Sequence, residues 1–222
     1  MFQSFYIYLV GPKTASVVKK LLLTSVVMIL ASYTFAQGIS GGVKAGLNLA
    51  DQKYSSDGTT ADSKVKPGLH AGLFLIAMIN ENFAVQPEVL YSMQGCKLDI
   101  DGFDGDYETS FNYIAVPVLA RYNITDRISV HAGPQFGFLL SADTEISYGT
   151  QVIKTDIKEY YKTMEISGAI GGEIDIIGGL GAGVRYVFGL SNIHEDGIDN
   201  TGKVKNSIFQ IYLKCRLFGG NK

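Results

Sequence analysis

Residues 83–95 read FAVQPEVLYSMQG, and apolar side chains alternate there with mostly polar ones. The first set consists of Phe83, Val85, Pro87, Val89, Tyr91 and Met93, and the second of Ala84, Gln86, Glu88, Leu90, Ser92 and Gln94. Because successive side chains of a β-strand point to opposite faces, the stretch predicts a strand with one apolar and one polar face. A tilted strand of about 9–11 residues crosses a bilayer, so this segment is long enough to span a membrane.

The same alternation predicts seven further strands, at residues 42–49, 68–79, 111–122, 128–141, 164–176, 180–190 and 207–218. The connections alternate between long polar segments, at 51–66, 97–110, 142–163 and 191–206, and tight turns at 80–82, 123–127 and 177–179. All long connections therefore emerge on one side. This order is typical of an all-β, eight-stranded antiparallel up-and-down transmembrane β-barrel with long outer loops and short periplasmic turns. A closed barrel leaves no unpaired strand edge in lipid.

The first 36 residues predict an export signal rather than a part of the barrel. Lys19 and Lys20 precede an apolar run, LLLTSVVMILASYTFA, that ends in small residues and is too short for a comfortable transmembrane helix. We expect cleavage between Ala36 and Gln37. Because signals rarely carry so long a leader, we also expect translation to start at Val18, read as methionine. The chain then divides into a non-native leader (1–17), a signal peptide (18–36) and an outer-membrane barrel domain (37–222).

Charge and cysteine content narrow the classes of function. Removing the first 36 residues takes away three of the 19 basic side chains and none of the 21 acidic ones, which leaves 16 against 21 and a net charge of −5. A chain of this charge lacks the basic footprint of a nucleic-acid-binding protein, so we expect no nucleic-acid partner. Cys96 and Cys215 fall near opposite ends of the predicted barrel, and we expect no disulfide.

The predicted inward faces carry a polar network of five bases and four acids, namely Lys44, Arg121, Arg185, Lys214 and Arg216 with Glu88, Glu165, Glu173 and Asp175. The lumen of an eight-stranded barrel is only wide enough for side chains to fill it. An unpaired buried charge costs roughly several kcal/mol, so a nearly balanced set predicts a self-satisfied plug that conducts nothing. A narrow channel for ions or small solutes is the alternative.

Aromatic and proline residues refine the predicted wall. The chain has no Trp, so Tyr and Phe must form the aromatic belts at the membrane interfaces. Phe83 and Tyr122 adjoin short turns and mark the periplasmic rim, and the upper wall carries Tyr91, Phe138, Tyr186 and Phe188. Prolines remove hydrogen-bond donors from a ladder, and we expect β-bulges at Pro87, Pro117 and Pro134.

Five stretches resemble the PorT-like outer-membrane β-barrel family: GVKAGLNLA (42–50), QPEVLYSMQG (86–95), YIAVPVLARY (113–122), HAGPQFGFLL (131–140) and YVFGLSNI (186–193). The resemblance covers essentially the whole mature chain and implies a porin-like barrel in the outer membrane of a Gram-negative cell. Its expected partners are outer-membrane lipid and lipopolysaccharide, and we expect a monomer. A member of the family is linked to protein secretion, which implies secretion-system or surface partners as a further expectation.

One loop offers candidate metal ligands. The segment DIDGFDGDYE contains Asp99, Asp101, Asp104 and Asp106, whose hard oxygen ligands suit a divalent cation such as Ca²⁺. Phe103 occupies the position at which an EF-hand loop needs its third ligand, so we favour a solvated loop over a site for a cation that bridges lipopolysaccharide.

Several functions stay open at this point. His131 and Ser129 share an inward face, but no Ser-His-acid set is placed at a lipid-facing or loop cleft, so we predict no enzymatic activity and no cofactor. The leading interpretation is a structural or interaction barrel that acts through its outer loops. The alternatives are an accessory component of a secretion system and a narrow channel or small-ligand-binding barrel. A soluble barrel of the lipocalin type would instead place its apolar rows inside.

Overall fold

The computed structural model describes residues 38–56, 59–98, 105–148, 151–194 and 203–219. The predicted leader (1–17) and signal peptide (18–36) lie outside these residues. The long strands are β1 (Ile39–Ser56), β3 (Lys64–Met78), β4 (Phe83–Leu98), β5 (Gly105–Asn123), β6 (Ile128–Tyr148), β8 (Met164–Ile177), β9 (Leu180–Gly189) and β10 (Lys203–Phe218). Two short strands, β2 (Thr59–Asp62) and β7 (Gln151–Asp156), and a 3₁₀ turn at Lys158–Tyr160 complete the described elements.

The long strands form one closed antiparallel barrel. Each pairs with its neighbours in the order β10-β9-β8-β6-β5-β4-β3-β1, and β1 pairs back onto β10. This seam between β1 and β10 runs from Gly41 opposite Phe218 to Ser55 opposite Lys203. The eight-stranded up-and-down barrel predicted from the alternation is therefore confirmed. No helix in the described part of the chain has the length and apolar character needed to cross a membrane.

Side chains alternate between the two faces with the predicted phase. On β4, Phe83, Val89, Tyr91 and Met93 are exposed, whereas the intervening Ala84, Gln86, Glu88, Leu90, Ser92 and Gln94 are all buried. Leu73 on β3 illustrates the outer surface, because 61% of it is exposed. In contrast, Lys44, Glu173 and Arg185 are buried inside. The apolar rows thus face outward, as a membrane barrel requires, and the arrangement is opposite to that of a lipocalin.

The exposed aromatic residues lie at the positions predicted for the periplasmic rim and the upper wall of the barrel. Phe83 and Tyr122 sit opposite each other at the end of the barrel that carries the short turns, with ring centroids 4.8 Å apart. Tyr91, Phe138, Tyr186 and Phe188 are exposed further along their strands.

The predicted long loops are largely β-structure, which corrects the strand boundaries. Residues 51–66 contain the end of β1, all of β2 and the start of β3, and residues 142–163 contain the end of β6 and all of β7. Strand β5 likewise begins at Gly105 rather than at residue 111. The alternation of apolar and polar residues reports burial of one face and not ladder hydrogen bonding. It disappears where both faces are polar, although the strands continue.

The expected β-bulges at Pro87, Pro117 and Pro134 are wrong. The register of β4 on β5 is unchanged from Pro87 opposite Val118 to Leu90 opposite Ala115, and that of β5 on β6 is unchanged from Pro117 opposite Gln135 to Ala120 opposite Ala132, a stretch that includes Pro134. Because proline has no backbone N–H, the pairing is interrupted for two positions, but no extra residue is inserted. The register shifts that do occur lie elsewhere, at Gly41/Gly42, Val65/His70, Asn112/Tyr113 and Asp175/Ile177.

Glycines permit a close approach of β1 and β10 at the seam. A Cβ atom on Gly46 would lie 2.2 Å from the carbonyl oxygen of Ile211, and one on Gly42 would lie 1.9 Å from that of Cys215. Both distances are far below van der Waals contact, so no larger residue fits without moving the backbone of β10. In the described part of the chain neither Cys96 nor Cys215 forms a disulfide, and Cys96 Sγ donates to Gln52 Oε1 at 3.3 Å.

Candidate functional site

The centre of the lumen holds an ion pair that joins opposite walls of the barrel. Arg185 on β9 donates from Nη1 to Glu88 Oε2 and from Nη2 to Glu88 Oε1, each at 2.8 Å. Lys44 on β1 reaches the same carboxylate, with Nζ 2.8 Å from Glu88 Oε1. The Lys44 ammonium also lies 3.3 Å from Glu173 Oε1, so it connects this pair to a second carboxylate on β8. Bidentate pairs of this kind fix geometry as well as charge.

Glu173 is the centre of the second group. Its Oε2 accepts from Arg121 Nη1 and lies 2.7 Å from Lys214 Nζ, while Tyr212 donates its hydroxyl to Oε1 at 2.9 Å. Asp175 extends the group: it lies 2.9 Å from Lys214 Nζ and 3.1 Å from Arg216 Nη2. Arg121, Lys214 and Arg216 therefore share two carboxylates near the periplasmic end of the barrel.

Neutral side chains complete this ion cluster. Arg185 Nε donates to His131 Nε2 at 3.1 Å, which leaves the proton of a neutral imidazole on Nδ1. Lys44 Nζ lies 3.9 Å from the centroid of the Tyr212 ring, within cation–π range. Gln86 accepts from Arg121 and donates to Glu88 Oε1 at 2.7 Å. Sequence reasoning had not singled out Tyr212 or Gln86 as part of the network, although their inward phase marked them as neighbours of the charges.

Glu165 lies apart from the other eight residues of the predicted polar network. Eight of the nine ionisable residues meet in the ion cluster, as five bases and three acids with a net charge of +2. Glu165 lies eight residues before Glu173 on β8, roughly 27 Å along the strand. It is hydrogen-bonded to Ser167 and Asn206 instead of to a base. The alternation fixes which face a residue occupies but not its height in the barrel.

A layer of neutral polar side chains fills the lumen above the ion cluster. Asn48 is its centre: Nδ2 donates to Ser92 Oγ at 3.0 Å and to the carbonyl of Met93 at 2.7 Å. Its Oδ1 lies 2.8 Å from His70 Nδ1 and accepts from Gln210 Nε2 at 2.9 Å. All these side chains are buried, so the polar plug continues well above the charges.

An apolar cluster covers the plug at the outer mouth. It consists of Phe111, Tyr113, Leu139 and Ala142, against which Ile157 and Tyr161 pack from the segment after β7. The rings of Phe111 and Tyr161 are 4.7 Å apart in an edge-to-face arrangement. Burial raises the pKa of the Tyr161 hydroxyl to about 12. The connection between β7 and β8 thus folds over the end of the barrel.

The outer extension carries its own small charge group. Glu108 on β5 pairs with Lys97 on β4, and its Oε2 lies 3.2 Å from Lys66 Nζ on β3. The hydrogen bond from Lys97, together with that from Lys66, holds the pKa of the Glu108 carboxyl below its usual value although partial burial acts in the opposite direction.

The candidate metal ligands of the acidic loop cannot be placed around an ion. Asp99, Asp101 and Asp104 lie outside the described residues, and Asp106 is described only as a backbone position at the start of β5. Within the described ranges no group of three or more His, Cys, Asp or Glu side chains is arranged to hold a metal ion. Ser129 and His131 are both buried in the lumen rather than at a cleft.

The described fold agrees with a family assignment made from the sequence. A model of the outer membrane protein beta-barrel domain matches residues 35–195 of the 222. The chain belongs to this outer membrane β-barrel family. Membership indicates that the protein resides in the outer membrane. The finer PorT-like assignment is not part of this finding.

Three solved structures of outer-membrane proteins are similar to this chain at low sequence identity. Ail, the attachment invasion locus protein of Yersinia pestis, solved with the heparin analogue sucrose octasulfate, is 14% identical, with 81% of this chain and 99% of Ail covered and a TM-score of 0.46. Neisserial surface protein A is 12% identical, with 80% and 98% covered and a TM-score of 0.46. The outer membrane protease OmpT from Escherichia coli is 9% identical, with 81% and 95% covered and a TM-score of 0.38. No curated protein matches this outer-membrane barrel.

Proposed function

We propose that this protein is a closed, non-conducting outer-membrane barrel that acts as an interaction platform through its outer β extension. The observation that carries the proposal is the ion cluster in the lumen. The side chains of Lys44, Glu88, Glu173 and Arg185 have 0% of their surface exposed. A passing ion would have to separate these pairs, and leaving one buried charge without its partner is strongly unfavourable.

The outer extension supports the interaction role. Strands β5 and β6 contain 19 and 21 residues, whereas a tilted strand needs only about 9–11 to cross the bilayer. The surplus projects beyond the membrane as a β5–β6–β7 sheet. At its tip, 63% of Val152 and 60% of Ile153 are exposed. Large apolar side chains presented on an exposed edge strand are typical of a surface that binds another protein.

Two measurements test the proposal. Planar bilayers that contain the purified barrel should show no stepwise conductance, and regular current steps would contradict the closed lumen and favour the narrow-channel alternative. A photo-crosslinking residue at position 152 should capture an extracellular partner in whole cells. The matched position is 81, in the exposed turn between β3 and β4 on the periplasmic side, which should not capture it. Equal capture at both positions would contradict the platform.

Lipopolysaccharide is the lipid partner that we propose, and one cross-strand pair supports it. Lys53 on β1 lies directly opposite Lys205 on β10. Both continue the outward row that contains Leu49 and Phe209, four residues beyond that exposed apolar pair. Two ammonium groups just above the apolar band lie at the height at which the phosphates of lipopolysaccharide begin, and adjacent like charges favour a bridging anion.

Membership of the PorT-like group and an accessory role in secretion form a second candidate function. The five quoted stretches of sequence support it. If it holds, deleting the gene should change the profile of secreted proteins, and the barrel should co-purify with periplasmic or outer-membrane secretion proteins. An unchanged profile in the deletion strain would contradict the role without affecting the closed-barrel proposal.

The remaining proposals concern processing and assembly. We expect a mature N-terminus at Gln37, a start at Val18 and a monomeric barrel in detergent. N-terminal sequencing of the precursor and of the mature protein tests the first two, and a precursor that begins at Met1 would contradict the internal start. Light scattering of the purified barrel tests the third. The absence of enzymatic activity stays a prediction.

A further inference from the structure

Strand β7 is paired along one side only. Its six residues, Gln151–Asp156, lie opposite residues 143–148 of β6, and among the described residues no other strand pairs with it. All six residues are exposed. The other side of β7 is therefore an open strand edge, and such an edge can pair with a strand of another protein.

One hydrogen bond shows which backbone groups reach the open edge. The N–H of Ile157 donates to the carbonyl of Ala142 at 2.9 Å, so these two residues form a hydrogen-bonded pair that continues the register of β7 on β6. Hydrogen-bonded and non-hydrogen-bonded pairs alternate along an antiparallel ladder. The residues whose backbone N–H and C=O groups point away from β6 are therefore Val152, Lys154 and Asp156.

The upper end of β10 has a similar edge, but the chain itself covers it. Above Ser207 the only strand beside β10 in the described residues is β1. On the uncovered side, the N–H of Val204 donates to Asn192 Oδ1 at 3.0 Å and its carbonyl accepts from the N–H of Ile193 at 3.1 Å. Within the described ranges no group forms such a bond with the outward backbone of β7. The chain thus covers one edge and leaves the other open.

The side chains on the outward-pointing positions favour a basic partner strand. Val152, Lys154 and Asp156 share one face of the β6–β7 hairpin with Ser147, Glu145 and Asp143, which lie directly opposite them. Three acids and one base give this face a net charge of −2. Lys154 Nζ lies 3.5 Å from Asp143 Oδ2 and 3.7 Å from Glu145 Oε1, so it is directed toward β6. Asp156 lies opposite Asp143, and such like-charge pairs are unfavourable, so a basic side chain on an added strand would stabilise them.

The other face of the hairpin favours apolar side chains. Ile153 lies opposite Ile146, and Thr155 lies opposite Thr144. Ile153 is 60% exposed although it is a large β-branched residue. Residues of this kind pack well against β-branched neighbours on the adjacent strand. A strand added beside β7 would cover Ile153 with such a neighbour.

We propose that β7 binds its partner by strand addition. An extended segment of another protein pairs with the open edge and carries basic side chains on one face and β-branched apolar side chains on the other. The inference rests on the proposed role of the outer β extension as an interaction platform, and it specifies the contact and the chemistry of the partner. Hydrogen bonds to the outward backbone groups supply affinity, and the alternating side chains supply selectivity.

A labelled peptide of alternating lysine and valine residues tests the proposal, with fluorescence anisotropy as the readout and the full chain refolded in neutral detergent micelles. Val152→Pro removes one outward N–H, a change that an edge strand tolerates. The affinity should fall about tenfold or more, because a hydrogen bond is lost and the ring obstructs the added strand. Val152→Thr keeps the N–H and the β-branched shape, so this matched control should bind within about twofold of the wild type.

Hydrogen exchange distinguishes the two sides of β7. The amides of Val152 and Lys154 should become protected when the peptide binds. Those of Ile153 and Thr155 should be protected by β6 already without peptide, and their protection in Val152→Pro would show that the hairpin is intact. The wild-type exchange decides the question even if the proline variant loses its hairpin, because unchanged exchange at Val152 and Lys154 in the presence of peptide would overturn strand addition.

The remaining outcomes separate strand addition from the platform itself. Equal affinities of Val152→Pro and Val152→Thr would overturn strand addition, and equal binding of a peptide of alternating glutamate and valine residues would overturn the basic partner. Failure of the platform would appear elsewhere, as equal photo-crosslinking at positions 152 and 81 in whole cells.

Discussion

Arg185 and Glu88 form a bidentate ion pair between the two strands that lie farthest apart in the barrel. Three strands separate β9 from β4 on either side of the ring. The pair joins positions 97 residues apart in the chain, and both of its N–O distances are 2.8 Å. It therefore acts as a transverse brace inside the barrel, and Lys44 extends the brace to Glu173.

Breaking the brace should destabilise the barrel strongly. Glu88→Gln leaves the guanidinium of Arg185 and the ammonium of Lys44 without the carboxylate that they share. Removing one partner of a buried pair costs roughly 3–5 kcal/mol, which should appear as a lower urea midpoint in detergent micelles. Glu81→Gln makes the same chemical change in the exposed turn before β4 and should leave the midpoint unchanged. Equal midpoints for the two variants would show that the pair is not a brace.

Closure at the seam between β1 and β10 should depend on glycine. Gly46→Ala places a methyl group 2.2 Å from the carbonyl oxygen of Ile211, so β1 and β10 must separate. We expect this variant to lose heat-modifiable migration on gels, the usual sign of a closed barrel. Gly172→Ala on β8 is the control, because its Cβ would meet nothing nearer than the Ser129 oxygen at 3.6 Å. Normal migration of Gly46→Ala would contradict the close approach.

The outer surface should respond to charge according to depth. Leu73 is exposed in the middle of the apolar band, and Leu73→Arg should lower the free energy of unfolding in lipid vesicles by about 2–4 kcal/mol. Ile177→Arg places the same side chain at the exposed last residue of β8, where the cost should fall to about 1 kcal/mol or less. A larger effect at position 177 than at position 73 would mean that the band is misplaced.

Lipopolysaccharide binding should depend on the Lys53–Lys205 pair. The double variant Lys53→Gln, Lys205→Gln removes both ammonium groups while it leaves the apolar rows intact. We expect the affinity for lipopolysaccharide micelles, measured by calorimetry, to fall by tenfold or more and to lose part of its salt dependence. Lys158→Gln, which changes an exposed lysine of the 3₁₀ turn, is the control and should bind as the wild type does. Unchanged binding by the double variant would exclude the pair as the site.

The phase of every long strand could be predicted from the sequence because a lipid-facing row and a lumen-facing row differ in polarity at each step. FAVQPEVLYSMQG shows this directly, since all six residues assigned to its polar set are buried. The lengths could not be predicted in the same way. Residues 51–56, 59–62, 64–66, 142–148 and 151–156 lie in strands in which apolar and polar side chains do not alternate regularly, and their polar composition is that of a loop.

The alternation of apolar and polar residues also did not predict which side chains pair across the lumen. Which base meets which acid depends on the stagger between neighbouring strands, and this stagger places Glu88 against Arg185 and leaves Glu165 among neutral groups. The prolines show the same limit. A proline in a strand predicts a missing hydrogen bond in the ladder, but it does not predict whether an extra residue is inserted there. The local sequence determines which face of the barrel wall a side chain occupies, whereas the stagger of the strands in the closed barrel determines its position along the barrel axis.

Because the seam joins the first and the last long strands, the chain can finish its fold only after β10 has left the ribosome and reached the membrane. Until that moment β1 has no partner on its seam side, and the brace between Glu88 and Arg185 has no closed ring to span. Closure of the ring is therefore the last step of folding, and only this step removes the two unpaired strand edges that lipid does not tolerate.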